Sequence, residues 1–175
     1  VFACTRAGAA TYILDVAHPQ DSHPELPSDP DTGSSRPLHL RPSALAWVVA
    51  GGLLGTSARY LLEKAYPFEA PEWPWATFMI NLAGAFMLGL ALEGLARLGV
   101  DTGWRQRARL LFGTGFCGTF TTYSAFALET SLLVRDGSVA TAVGYAAATV
   151  VAGALLAWAG IAVAAHTHTR VAARG

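Results

Sequence analysis

Charge is scarce in this chain. Asp, Glu, Lys and Arg make up 14% of the residues, against roughly 25% in an ordinary soluble domain, so lipid rather than water is the expected solvent for most of it. Neither sign of charge is in excess, because twelve Lys and Arg face twelve Asp and Glu. That balance removes the basic footprint that nucleic-acid binding needs. Cysteine is nearly absent: Cys4 and Cys117 stand in unlike surroundings with no metal-ligand spacing between them, and no structural disulfide is expected. Proline is almost missing from the apolar part, since six of the nine prolines fall within residues 19–42.

The chain therefore has two regimes. Residues 18–39 are rich in Pro, Ser and Asp and cannot bury enough apolar surface to offset the entropy of ordering them. Residues 1–42 are expected to be a disordered polar tail. Their first seventeen positions contain Arg6 and Asp15 and no continuous apolar run, so no signal peptide is read there. Beyond Pro42 the apolar residues gather into long runs. A bilayer core of about 30 Å takes about 20 helical residues at 1.5 Å each, and four stretches qualify: residues 44–62, 75–95, 110–133 and 139–165. The expected fold is an all-α membrane protein of four transmembrane helices over residues 43–166, followed by a short C-terminal tail, 167–175.

Glycine and alanine are frequent in these spans, as in Gly51 and Gly55, Gly84 and Gly89, Gly144 and Gly153. Small residues let helices approach closely in lipid, where no hydrophobic effect drives association. A bundle this small has little interior, so a polar pathway is expected where two copies meet, and we expect a dimer. Trp47, Trp73, Trp75, Trp104 and Trp158 mostly fall near the expected helix ends, where amphipathic rings favour the headgroup region. Near the membrane, Arg36, Arg41, Arg97, Arg105, Arg107, Arg109, Arg170 and Arg174 share one side against Arg59, Lys64 and Arg135 on the other. This asymmetry favours cytoplasmic termini.

Polar residues inside the spans must find partners or carry function. Thr77 and Asn81 are one turn apart on the second span, and Tyr145 and Thr149 repeat that spacing on the fourth; taken alone, such pairs are commonly hydrogen-bonding glue between helices. The third span changes the balance. Its Gly118-Thr119-Phe120-Thr121-Thr122 run is a poor continuous helix. A break there would free backbone carbonyls, which membranes tolerate only where protein, water or an ion satisfies them. Tyr123 and Phe126 then share a face, with Glu129 a further turn along, and their positive ring edges can attract an anion without a lysine or arginine to trap it. Gly113, Gly115 and Gly118 spell G-x-G-x-x-G, but with no strand before them the nucleotide reading fails.

The run Gly115-Phe116-Cys117-Gly118-Thr119-Phe120-Thr121-Thr122-Tyr123-Ser124-Ala125-Phe126 resembles the G-F-C-G-G-x-T-T-F-S-T-F signature of the Fluc (CrcB) fluoride channels. Gly51-Gly52-Leu53-Leu54-Gly55-Thr56-Ser57-Ala58-Arg59-Tyr60 is similar to that family's first-helix G-G-x-x-G-a-x-x-R-Y. Trp75-Ala76-Thr77-Phe78-Met79-Ile80-Asn81-Leu82-Ala83-Gly84 is similar to its G-T-x-x-v-N-x-x-G, with Ala76 in place of glycine. The resemblance implies two homologous subunits inserted antiparallel, in the dual-topology manner, with two fluoride pores along the interface. It implies a structural sodium ion held by the carbonyls of Gly118 and Thr121, and a fluoride pathway of Asn81, Tyr123, Phe126, Ser124, Thr77, Thr122, Tyr145 and Thr149. Gly153 stands where a further hydroxyl is often found. Glu129 and Arg59 match family positions whose roles are ion access, packing or anchoring. Tyr123 replaces a phenylalanine, adding a phenol, and Ala125 replaces a threonine.

The function so implied is passive fluoride efflux across a bacterial-type inner membrane, relieving cytoplasmic fluoride toxicity. No nucleotide site, nucleophile with its base, or metal cluster is present in the sequence, so no enzyme is expected. Two alternatives stay open. A small multidrug-type cation/proton antiporter needs a membrane-embedded carboxylate, whereas the first span has no acid and Glu93 and Glu129 fall toward expected helix ends. A nonconducting scaffold subunit is the other. The arginine asymmetry also raises pairing with a homologous subunit of opposite orientation, a heterodimer, beside the homodimer.

Overall fold

A computed structural model describes residues 41–172, and these belong to one compact unit, Arg36–Gly175. The tail expected over residues 1–42 lies, except for its last two residues, outside the described residues. All regular structure among the described residues is helical: α1 (Pro42–Ala65), α2 (Trp75–Arg97), α3 (Trp104–Ala108), a π-helical stretch (Arg109–Cys117), α4 (Gly118–Phe120), α5 (Tyr123–Arg135) and α6 (Val139–Ala172). Pro42 opens α1, a position where its missing N–H costs nothing and its fixed φ suits a helix. Helix α6 runs past the end expected near residue 165, to Ala172.

Three of these helices, α1, α2 and α6, are long and apolar enough to cross a membrane. Only 11%, 22% and 6% of their most apolar windows are buried within the chain, so the apolar side chains mostly point outward. Leu53, Val143, Val150 and Leu155 are each more than 60% exposed, an arrangement suited to lipid or a partner and not to water. The third span, residues 110–133, expected to be broken near Gly118 to Thr122, consists of the π-helical stretch and α4 on one side and α5 on the other. Between them Thr121 (φ −73°, ψ 154°) and Thr122 (φ −145°, ψ 123°) are extended.

Close backbone contact holds the broken segment against α1. A Cβ on Gly115 would lie 2.6 Å from the Val48 carbonyl oxygen, and one on Gly51 or Gly55 would run into the carbonyls of Leu111 or Phe116. Thr119 Oγ1 bridges the same seam, 3.0 Å from the carbonyls of both Gly52 and Gly115. On the other flank, Gly89 and Gly160 let α2 and α6 meet backbone to backbone. Gly144 and Gly153 take no such part: a Cβ on Gly144 meets only Trp73, at 3.8 Å, and one on Gly153 meets nothing within 4 Å. Gly51→Ala is therefore expected to cost about 1–3 kcal/mol or more through overpacking, seen as loss of monodisperse protein on size-exclusion chromatography. Gly153→Ala should elute like the wild type, and equal behaviour of the two variants would refute the seam.

Candidate functional site

The interruption builds the site. A continuous helix would bring Thr122 N–H to the carbonyl of Gly118 and Ala125 N–H to that of Thr121. Here both donors are diverted. Thr122 N–H donates to Asn81 Oδ1 at 2.9 Å, while Asn81 Nδ2 donates to the Thr122 carbonyl at 3.1 Å. Ala125 N–H donates to Thr122 Oγ1 at 3.2 Å, so Thr122 caps α5, an arrangement threonine favours at helix starts. Asn81 thus acts as a two-point clamp from α2 on the extended backbone, and the Gly118 and Thr121 carbonyls lose their helical donors. Thr121 Oγ1 turns back to the Cys117 carbonyl at 2.9 Å.

An open groove of about 350 Å³ passes this break, lined by Asn81, Thr121, Thr122, Tyr123, Phe126, Thr149 and Val150. Ser124 Oγ lies 3.2 Å from Thr122 Oγ1 at its edge. The rings of Tyr123 and Phe126 are 6.1 Å apart and tilted by 41°, and Tyr123 is 81% exposed. Every polar group lining the groove is neutral. A second hollow, sharing Asn81 and Thr121, adds Gly84, Gly113, Cys117 and Gly118 to its wall. The Gly118 and Thr121 carbonyls, left without helical donors, are hard oxygen ligands of the type a monovalent cation such as sodium takes.

A second cluster lies one turn along α2 from Asn81. Thr77 Oγ1 donates to Glu129 Oε1 at 2.6 Å and the Tyr145 hydroxyl donates to Glu129 Oε2 at 2.8 Å. Thr77 and Tyr145 are fully buried and Glu129 is only 9% exposed. Glu129 therefore sits in the middle of α5 and inside the fold, not toward a helix end. Aromatic rings wall the network. Tyr145 lies 5.3 Å from Phe126 and 5.6 Å from Trp73, ring centre to ring centre. Phe126 belongs to both clusters, and Thr149 joins them through its bond to the Tyr145 carbonyl at 2.7 Å.

The chain thus brings Asn81, Thr122, Tyr123, Ser124, Phe126 and Thr149 to one groove and Thr77, Tyr145 and Glu129 to the adjoining network. Arg59 joins neither; it forms no hydrogen bond or ion pair among the described residues. The pairing of Glu129 with two hydroxyls was not read from the sequence, although a carboxylate in an apolar segment with Thr77 and Tyr145 on neighbouring spans was its signal. Thr119, which ties the broken segment to α1, was also missed.

Outward-facing apolar helices around a broken one, with Thr77, Thr122 and Glu129 hydrogen-bonded inside, define an α-helical multi-pass membrane protein. Residues 46–161 match the family described as CrcB-like protein, Camphor Resistance (CrcB), and the chain belongs to that family. It is 48% identical over 132 residues to a protein of Leifsonia xyli named Fluoride-specific ion channel FluC 2, covering 75% of this chain and 90% of that one. It is 45% identical over 121 residues to Fluoride-specific ion channel FluC 1 of Cutibacterium acnes, covering 69% and 85%. With the FluC of Chlorobium luteolum it shares 41% over 121 residues, covering 69% and 91%.

Proposed function

We propose that this chain is the subunit of a fluoride-selective channel that lets fluoride leave the cell passively. The observation that carries the reading is the groove at the helix break, where donors and ring edges gather at membrane depth without a single cationic side chain. Fluoride is small and strongly hydrated, so a selective path must replace its water with closely placed donors. The second N–H of Asn81, the one hydroxyl proton that the Ser124–Thr122 pair leaves free, and the edges of Tyr123 and Phe126 are suited to that, while Thr149 gives its proton to the Tyr145 carbonyl and contributes only its oxygen. A lysine or arginine would hold the ion too tightly to release it. No chemical bond is made or broken in this function, and no enzymatic step is assigned.

The groove is open along one side, and this supports a dimer in which a second, oppositely oriented subunit, identical or homologous, closes it. Residues 104–135 then cross the bilayer as a fourth, broken span. Sodium at the break would be held by the Gly118 and Thr121 carbonyls and would supply positive charge fixing the two subunits together. The arginine asymmetry supports a cell-membrane location with cytoplasmic termini. Exchange of a cationic drug against protons fits less well, because the embedded carboxylate of Glu129 already accepts from two hydroxyls and has almost no open face.

Purified protein in liposomes loaded with potassium fluoride, with a potassium ionophore added, should release fluoride rapidly and run as a dimer when extracted. Liposomes loaded with chloride should hold their anion. Equal release of both anions overturns the proposal, as does no release of either both from the chain alone and from the chain reconstituted with a homologous subunit.

A further inference from the structure

The end of α2, the loop after it and the start of the next helical segment carry charge that is only half compensated. Over residues 93–109 there are four arginines and two acids. Arg97 pairs with Glu93 and Arg109 with Asp101, each at 2.5 Å. Arg105 and Arg107 have no carboxylate partner among the described residues. Arg105 is pinned at the loop by donating to the Leu98 carbonyl, and its Nε–H is buried with no acceptor. Arg107 is exposed.

Next to these two cations in the chain are residues that line an apolar groove of about 460 Å³, whose walls include Leu90, Leu95, Leu98, Trp104, Phe112 and Ala164, and Arg105 reaches one of them, Leu98, through its carbonyl. Arg105 and Arg107 fall between Trp104 and Ala108, both of which line it. At 3.6 residues per turn, its α2 wall lies roughly 100° around the axis from the Asn81 face. It is therefore separate from the polar groove at the helix break. Trp104 is 62% exposed and Phe112 54%, so the slot opens outward where an apolar span meets a charged loop.

We infer that this slot binds an anionic phospholipid, with an acyl chain along the apolar wall and the phosphate against Arg105 and Arg107. Basic pockets beside transmembrane helices recognise anionic headgroups by this combination. The two uncompensated charges favour an anionic over a zwitterionic headgroup, and the length of apolar wall favours a lipid over free phosphate. Trp104 sits where an amphipathic ring would meet the headgroup boundary. The inference needs only a membrane-embedded chain and is independent of which ion crosses.

Native mass spectrometry of the purified full-length chain, titrated with dioleoyl phosphatidylglycerol and dioleoyl phosphatidylcholine, tests it. The chain should retain the glycerol lipid in preference to the choline lipid. Replacing both cations, as Arg105→Gln with Arg107→Gln, should reduce that preference roughly 30-fold, about 1 kcal/mol for each charge. Gly94→Leu gives a second route. Gly94 lines the groove and a Cβ there meets nothing within 4 Å, so the larger side chain should fill the slot and abolish retention with both arginines intact. Equal retention of the two lipids, an unchanged preference in the arginine variant, or displacement of the lipid by inorganic phosphate would overturn the inference. So would retention of neither lipid together with a changed oligomeric state in Gly94→Leu, because a second copy of the chain would then cover the groove.

Discussion

Asn81→Asp should lower fluoride efflux from liposomes at least about 100-fold when equal amounts of folded, monodisperse protein are compared. Two effects act in the same direction. The substitution replaces the Nδ2 donor by a second oxygen facing the Thr122 carbonyl, which is now 3.1 Å from that donor. Leaving such a carbonyl unpaired costs about 1–3 kcal/mol. The new charge also stands in the anion's own route, and a carboxylate at the centre of a span costs about 2.5–3.5 kcal/mol even before repulsion. A barrier raised by about 3 kcal/mol slows passage somewhat more than 100-fold, at about 1.4 kcal/mol per tenfold. Asn81→Ala separates the two effects, since it removes both arms of the clamp without adding charge. It should conduct better than Asn81→Asp. Wild-type efflux through Asn81→Asp would remove this residue from the pathway.

The long apolar runs made the membrane class legible because the requirement for about 20 lipid-compatible residues per helix leaves few other readings. The helix interruption was legible for a related reason. Consecutive threonines after Gly118 are poor helix formers in a place where a broken helix needs compensation, and the break falls at Thr121 and Thr122. How it is compensated was not legible. Asn81 and Thr122 are 41 positions apart, and Thr119 and Gly52 are 67 apart, so those bonds depend on how helices dock and not on spacing along one of them. The π-helical winding of Arg109–Cys117 likewise has no local pattern of its own. Nor was the role of Trp73: as one of five tryptophans near expected helix ends it reads as a headgroup anchor, yet its ring packs edge-on against Phe78 and Tyr145. Among the glycine pairs, spacing alone did not separate Gly51 and Gly55, which the packing requires, from Gly144 and Gly153, which it does not.

Glu129→Ala should be the most destabilising single change in the adjoining network. Two hydroxyls, each fully buried, give their protons to this one carboxylate, and no water reaches them to take its place. Hydrogen bonds to a charged group contribute about 1.5–3 kcal/mol each, so truncation is expected to cost about 3 kcal/mol or more. For a chain of this length that corresponds to a fall in Tm of roughly 6–12 °C, readable as a thermal shift of the purified protein in detergent. Glu129→Gln keeps the shape and one acceptor oxygen, and a hydroxyl can turn to accept from its amide. It should therefore lose much less stability than Glu129→Ala. Tyr145→Phe removes one donor and keeps the ring that packs on Phe126 and Trp73, so it should fall between the two. If Glu129→Gln proved as damaging as Glu129→Ala, the network would depend on the negative charge itself and not on filled hydrogen-bonding positions. If neither variant shifted the melting temperature, the carboxylate would have no structural role between Thr77 and Tyr145.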